Sequence, residues 1–200
     1  MKEIFERIYQ KNTWGSTESV SGTGSTLRST KNVRNFLPEL LNDLKTLTLL
    51  DIPCGDWNWM KEVNLENINY IGADIVPDII EKNKSLYSSD NISFCVLDIT
   101  KSELPNADTA LVRDCLFHFS FNDTASAIKN LKASGIKYLI STTFPTCTEN
   151  TDIKTGGYRK INLSIYPYNL GDPLFLFKEK SGNTNYSKSL GVWDLTQIKI

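Results

Sequence analysis

Three aspartates carry the most pointed chemistry in this chain: Asp51, Asp74 and Asp98. They fall at or near the ends of three short apolar runs, Leu47–Ile52, Tyr70–Ile75 and Ile92–Ile99. Runs of that length, rich in Leu, Ile and Val and without alternation, suit strands buried on both faces of a parallel sheet. Such strands present their carboxyl ends to ligands. Asp51 opens a tight Ile52-Pro53-Cys54-Gly55-Asp56 turn, in which Gly55 lets backbone approach a ligand closely. Asp74, with Ile75 beside it, lies about 20 residues further on, where a carboxylate can accept both hydroxyls of a ribose. Asp98-Ile99 offers an acceptor and an apolar face to an adenine. Each acid alone could simply cap a helix or start a turn. Three acids on one sheet edge form a single constellation.

The identity of the adenosine ligand turns on the Pro53–Trp57 turn. A dinucleotide site wants G-x-G-x-x-G, with the pyrophosphate on a helix N-terminus. That pattern is absent here, and so is G-x-x-x-x-G-K-[ST]. Gly22-Thr23-Gly24-Ser25 follows no strand and lacks the third glycine. Asp56 would repel a pyrophosphate but suits an ammonium and a sulfonium. The turn therefore points to S-adenosylmethionine rather than NAD.

These residues need a scaffold. Two more apolar runs, Thr109–Leu116 and Ile136–Phe144, complete five parallel strands. Helical patterns separate most of them, as in βαβ units. A helix is predicted after the Pro53–Trp57 turn. Pro77 suits the first turn of another that carries Ile79, Ile80 and Asn83. Asn122 or Asp123 is read as the cap of a third, with Ala125, Ile128 and Leu131 as its stripe and Gly135 as its stop. Ahead of the first strand, Thr30 is read as the cap of a helix with a Val33, Phe36, Leu37, Leu40, Leu41, Leu44 stripe. Pro38 predicts a kink or break near Phe36–Leu37. Two last strand-like runs, Leu174–Lys178 and Leu190–Ile198, flank the turn-rich Ser181-Gly182-Asn183-Thr184-Asn185. They predict an antiparallel hairpin closing one sheet edge. The expected fold is α/β, with a seven-stranded, mostly parallel, Rossmann-like sheet and helices on both faces.

Composition narrows the function classes. Hydrophobic residues make up 40% and charged residues 22% of the 200 residues, which excludes collagen-like and disordered chains. Lys+Arg is 22 and Asp+Glu is 23, a balance that argues against coating nucleic acid or an anionic membrane. No apolar run approaches the ~20 residues of a membrane helix. The first residues lack the apolar core and cleavage site of a signal peptide, which predicts a cytoplasmic protein. Asn-x-Ser/Thr triplets such as Asn91-Ile92-Ser93 carry no weight without such a signal. Cys54, Cys95, Cys115 and Cys147 include no C-x-x-C pair, and His118 is the only histidine. No metal site is expected. The thiols are read as small buried groups in a reducing compartment.

Asp51-Ile52-Pro53-Cys54-Gly55-Asp56 resembles motif I of the class I S-adenosylmethionine-dependent methyltransferases, an acid followed by x-G-C-G-x-G. Pro53 and Trp57 replace its first and third glycines. Asp74 and Asp98 match the acids after that family's second and third strands. Ala107–His118 is similar to its fourth-strand motif. The resemblance spans roughly residues 46–144. A finer likeness, to a bacterial subgroup associated with capsule or other surface-polysaccharide modification, runs over nearly the whole chain. It rests on Asn12-Thr13-Trp14-Gly15-Ser16, Ser21-Gly22-x-Gly24-Ser25, Asp51-x-Pro53-Cys54-Gly55-Asp56-x-x-Trp59-Met60, Arg113-Asp114-x-Leu116-x-His118 and Gly156-x-x-Arg159-x-x-Asn162-Leu163. The length and the lack of a repeat or low-complexity linker argue for one domain over residues 1–200, which on this resemblance is a methyltransferase domain. Residues 1–45 would be N-terminal helices and lid, 46–144 the cofactor core, 145–173 an acceptor-side insertion and 174–200 a closing hairpin.

On that reading Asp51, Pro53, Cys54, Gly55, Asp56, Asp74, Ile75, Asp98, Ile99 and Arg113 hold the cofactor. Ser21–Thr26 folds over it, with Ser25 and Thr26 reaching the methionine carboxylate; a solvated loop is the plainer alternative. His118, the sole imidazole, would take the proton of an acceptor hydroxyl, oriented by Asp114. Arg113 could equally pair with an acceptor carboxylate or phosphate, or serve a surface ion pair. Trp14, Tyr158, Arg159 and Asn162 would face a sugar-derived or phosphorylated small acceptor; those of the insertion could also be packing residues. Two further readings stay open: an NAD-dependent Rossmann oxidoreductase, and an inactive S-adenosylmethionine-binding partner subunit.

Overall fold

A computed structural model describes residues 1–179 and 188–198. Its seven strands are β1 (Thr48–Asp51), β2 (Asn69–Asp74), β3 (Ile92–Val96), β4 (Thr109–Val112), β5 (Tyr138–Thr143), β6 (Phe175–Lys178) and β7 (Ser189–Asp194). They form one sheet in the order β3-β2-β1-β4-β5-β7-β6. The pairs β1–β2, β2–β3 and β4–β5 are parallel, while β7 pairs antiparallel with both β5 and β6. The expected mostly parallel sheet with an antiparallel hairpin is thus observed. The hairpin's turn, Ser181-Gly182-Asn183-Thr184-Asn185, lies outside the described residues. Four helices accompany the strands among the described residues: α1 (Lys2–Gln10), α2 (Leu27–Asp43), α3 (Pro77–Tyr87) and α4 (Phe121–Ala133). The chain divides into two compact units, Met1–Asp98 and Ile99–Ile200.

The first unit builds its core on the three parallel strands. Leu49, Leu50, Tyr70, Ala73 and Phe94 are buried, with Val33, Leu37, Leu40 and Leu41 of α2 and Ile79 and Ile80 of α3. Helix α2 starts one turn before the expected cap. Thr26, not Thr30, accepts the Ser29 amide at its N-terminus. Glu18 adds a carboxylate there, accepting the Leu27 amide at 2.6 Å, and an anion suits that end of a helix. Pro38 does not break α2, which runs unbroken for 17 residues. The buried stripe on either side of the proline outweighs one lost backbone bond. The helix expected after Asp56 is also absent. Gly55 and Trp57 both take positive φ, which no helix continues through, and a single 3₁₀ turn, Met60–Glu62, follows. Trp57 packs its ring on Tyr70, Tyr87 and Phe94.

The second unit packs Leu111, Val112, Leu139, Ile140, Val192 and Trp193 of the sheet with Ala127, Ile128 and Leu131 of α4. Ser120, rather than Asn122 or Asp123, caps α4 by accepting the Asp123 amide. Ala125 faces solvent; Thr124 and Ala127 take the buried positions instead. Gly135 stops the helix as expected, at φ +81. Residues 145–174 form neither helix nor strand, yet they bury Ile161, Leu163, Tyr168 and Leu170. Asn150 and Asn162 hold that segment together. Asn150 donates to the Asn162 carbonyl at 2.9 Å and accepts its amide at 2.8 Å. Cys54 and Cys115 are buried, but Cys95 and Cys147 are only half-buried, so burial does not describe all four thiols. Among the described residues no helix is long and apolar enough to cross a membrane.

Candidate functional site

In the first unit, Asp51 and Asp74 occupy the carboxyl ends of β1 and β2. Asp51 accepts the Tyr70 hydroxyl at 2.6 Å. Cys54 continues the ladder past β1, donating its amide to the Ala73 carbonyl at 2.8 Å. Gly55 is then fixed from three directions. Its amide donates to Asp74 Oδ2 at 3.2 Å, and its carbonyl accepts from Asn83 of α3 at 2.7 Å. Over its Cα lies Ser21, whose Oγ would stand 2.1 Å from a Cβ at position 55. The approach that Gly55 permits is therefore taken up by the chain's own Ser16–Thr26 segment.

Asp56 pins that segment. Its carboxylate accepts the Ser19 hydroxyl at 2.9 Å, the Ser21 hydroxyl at 3.1 Å and the Val20 amide at 2.9 Å. Its own amide donates to Ser21 Oγ at 3.0 Å. Asn58 closes the far end, donating to Glu18 and to the Ser25 carbonyl. Trp14 packs against Phe5 and supports Gly22 from below. Ser25 is buried under this arrangement, and Thr26 is spent on the cap of α2. Beside it opens a cleft of about 320 Å³, lined by Tyr9, Val20, Lys61, Ile79, Lys82 and Tyr87 among others.

Asp74 is 5% exposed, and its second oxygen accepts the Val76 amide at 2.9 Å. Burial pushes its carboxyl up to about 6, against the pull of those amide bonds. Ile75 beside it is half-buried. Strand β3 ends at Val96, two residues before Asp98, and Asp98 is buried. In the second unit, Asn130 of α4 fixes the following stretch, donating to the carbonyls of Ile99 at 2.9 Å and Ser102 at 2.8 Å.

The carboxyl ends of β4 and β5 carry a second cluster. Arg113 is buried and donates to Glu179 Oε2 at 2.7 Å, with its other amino group 3.4 Å from Asp114. Lys188 meets Asp114 at 2.7 Å and Glu179 at 3.3 Å. Thr142 of β5 completes the frame, with its hydroxyl 3.1 Å from Asp114 Oδ1 and its oxygen 2.9 Å from the Asp114 amide. Asp114 holds φ +52, a conformation Asp tolerates better than most residues. Burial would raise its carboxyl, but Arg113 and Lys188 outweigh that and draw it down to about 2. Glu179 and Lys188 reach this edge because Lys178 is in register with Ser189, and Ser189 with Thr143. Neither residue carried any sequence signal.

His118 closes a short 3₁₀ turn just past these residues. The carbonyl of Gly157 lies 2.6 Å from its Nδ1, so the neutral ring carries its proton there and its lone pair on Nε2. The backbone of 117–118 is paired with 156–159 through Gly156 to His118 and Arg159 to Phe117. Burial lowers the imidazole below its ordinary value, opposed by the Gly157 carbonyl and Asp114 and assisted by Lys188. Tyr158, 52% exposed, packs its ring 6.2 Å from the imidazole. Arg159 points elsewhere. It is buried and donates to the Phe119 carbonyl and, at 2.6 Å, to the Tyr168 hydroxyl. Asn162 is spent on the Cys147 carbonyl and the Ser164 amide.

No protein-family model and no curated protein matches this sequence. Solved structures do match in fold. The Burkholderia thailandensis 1,6-didemethyltoxoflavin-N1-methyltransferase, with 1,6-didemethyltoxoflavin and S-adenosylhomocysteine bound, superposes with a TM-score of 0.69 at 12% identity, covering 96% of this chain and 86% of that one. The magnesium protoporphyrin IX methyltransferase of Synechocystis, with S-adenosylhomocysteine bound, gives 0.65 at 13% identity, covering 97% and 100%. Human N-acetylserotonin methyltransferase gives 0.56 at 13% identity, covering 93% of this chain and 61% of that one. The chain thus has the Rossmann-like fold that these methyltransferases share.

Proposed function

We propose that this chain is an S-adenosylmethionine-dependent methyltransferase that methylates a hydroxyl of a sugar-derived or phosphorylated small acceptor, in surface-polysaccharide biosynthesis. One observation carries the reading. In a fold shared with methyltransferases, a buried carboxylate at the end of β2 holds the amide of the glycine turn that follows β1. Each Asp74 oxygen has a lone pair beyond its amide bond, which suits the two hydroxyls of a ribose. Asp98 and Ile99 suit the adenine; Asp56 and Thr26, spent on the Ser19–Ser21 donors and on the α2 cap, serve the amino-acid end by fixing the segment beside it. The bound cofactor supplies a methyl group already activated on a sulfonium.

This chain's residues then have two tasks. They hold the acceptor oxygen in line with the transferring methyl, and they accept its proton. His118, with the Nδ1 proton held by Gly157 and the ring kept neutral by burial, suits the second task. Tyr158 beside it offers an exposed aromatic face of the sort that stacks on a sugar ring. Arg113 is paired with Glu179 and Asp114, which favours the hydroxyl as the recognised feature over an added anionic group.

Calorimetry with S-adenosylhomocysteine tests the cofactor half. Asp74→Ala should weaken binding by about 1.5–3 kcal/mol. Equal affinity in the variant would remove Asp74 from the site. Methyl transfer to a panel of sugar nucleotides and free sugars, read by mass spectrometry, tests the acceptor half. Binding without transfer to any member would favour the non-catalytic alternative.

A further inference from the structure

Four charged side chains gather in one cluster: Arg113 and Asp114 after β4, Glu179 after β6 and Lys188 before β7. The cluster holds two cations and two anions, so its net charge is zero. Asp114 is the cluster's link to the only imidazole of the chain, since the 3₁₀ turn that ends in His118 starts two residues after it. A carboxylate so placed attracts a proton onto the ring. Lys188 sits on the carboxylate oxygen at 2.7 Å, and Thr142 occupies the other oxygen at 3.1 Å. The Asp114 charge is therefore shared before it reaches the ring. The imidazole also meets the Gly157 carbonyl and the rings of Phe117 and Tyr158.

We propose that Lys188 is a positioning residue for His118: by holding the Asp114 carboxylate in an ion pair, it withholds that negative charge from the imidazole and keeps the ring neutral, able to accept a proton. The proposal rests on the reading of His118 as the base, and it gives that reading a second residue from the far end of the chain. Arg113 shares the Asp114 charge from 3.4 Å while its shorter contact, 2.7 Å, is with Glu179; Lys188 makes the closer contact with Asp114. The Lys188 ammonium also acts on the imidazole directly, in the same direction as burial.

A chain with one histidine allows a direct test. The imidazole Hε1 resonance is followed by proton NMR against pH, with no assignment ambiguity. In Lys188→Met the midpoint should move upward by about half a pH unit or more, as Asp114 is released towards the ring. Lys188→Arg should restore it, and Asp114→Asn should move it downward. An unchanged midpoint in Lys188→Met, in a chain whose cooperative unfolding shows it folded, would overturn the proposal. Should Lys188→Met fail to fold, an unmoved midpoint in Asp114→Asn would overturn it equally. The pH profile of turnover separates this inference from the base assignment. A midpoint that moves while the rate profile stays fixed supports the electrostatic coupling and removes His118 from the base role.

Discussion

The hydroxyl of Ser21 lies directly over the Cα of Gly55, so close that a methyl group added at Gly55 would stand 2.1 Å from it. The two residues are separated by α2 and β1, and each is held by its own network. Gly55 is tied to Asp74 and Asn83, and Ser21 to Asp56. The contact couples the turn after β1 to the segment that covers it.

Gly55→Ala should therefore be costly in two separable ways. A left-handed residue with a side chain costs about 1–2 kcal/mol, and the displaced Ser21 adds to it. The double variant Ser21→Gly, Gly55→Ala should regain the steric part and keep the conformational part. Denaturant midpoints of the two singles and the double give the coupling energy. Strict additivity would show that the covering segment yields freely.

Asp56→Ala removes one acceptor carboxylate from three donors, Ser19, Val20 and Ser21. Hydrogen bonds to a charged group contribute about 1.5–3 kcal/mol. Amide exchange in residues 16–26 should then quicken by about tenfold or more, while the β1 and β2 amides stay protected. Uniform acceleration across the unit would instead indicate global destabilisation.

The Asp74 carboxyl, raised by burial to about 6, predicts a pH slope in stability. A group whose folded value lies above its unfolded one loses stability as pH climbs from about 4 to about 6. The loss is at most about 3 kcal/mol, roughly two pH units at about 1.4 kcal/mol each. Asp74→Asn should flatten that slope. The slope is the readout, since the Asn amide would face one of two N–H donors and lower stability at every pH.

Asp114 predicts the opposite slope. Its carboxyl is drawn down to about 2, so its contribution is present above about pH 4 and is lost as pH falls towards 2. Partial solvent access keeps the effect to at most about 2 kcal/mol. Asp114→Asn keeps a residue that tolerates the left-handed backbone and should blunt acid unfolding. Equal acid midpoints would show that the ion pair adds nothing measurable.

His118→Gln should keep cofactor affinity and lose about 10²–10⁴ in turnover. The wild-type rate should rise as the imidazole loses its proton, at a pH below the ordinary histidine value, since burial lowers it. A parallel fall in cofactor affinity would place His118 in the donor pocket.

The strand ends were legible in the sequence because buried parallel strands leave continuous apolar runs, and Asp51 and Asp74 terminate two of them. Helix ends were less so. Thr26 and Thr30 are both cap formers, and the Ser29 amide on Thr26 with the distant Glu18 carboxylate on the Leu27 amide shows which one begins α2. The turn after β1 looked like a helix start because its two positive φ values, at Gly55 and Trp57, leave no mark in composition. Arg159 and Asn162 looked available as polar side chains of a long loop, yet that loop folds around them. Glu179 and Lys188 were beyond sequence reading altogether. Their partners lie 66 and 74 positions away, and the strand pairing that delivers them is antiparallel.

The insertion of β7 between β5 and β6 has a consequence for synthesis. One edge of β5 stays unpaired while the chain grows, and β6 has no described strand neighbour at all, until Ser189–Asp194 leaves the ribosome. Throughout that interval Phe175 and Leu176, which remain exposed even in the finished fold, belong to an apolar strand without a partner. The nascent polypeptide is then most open to wrong pairing with other chains.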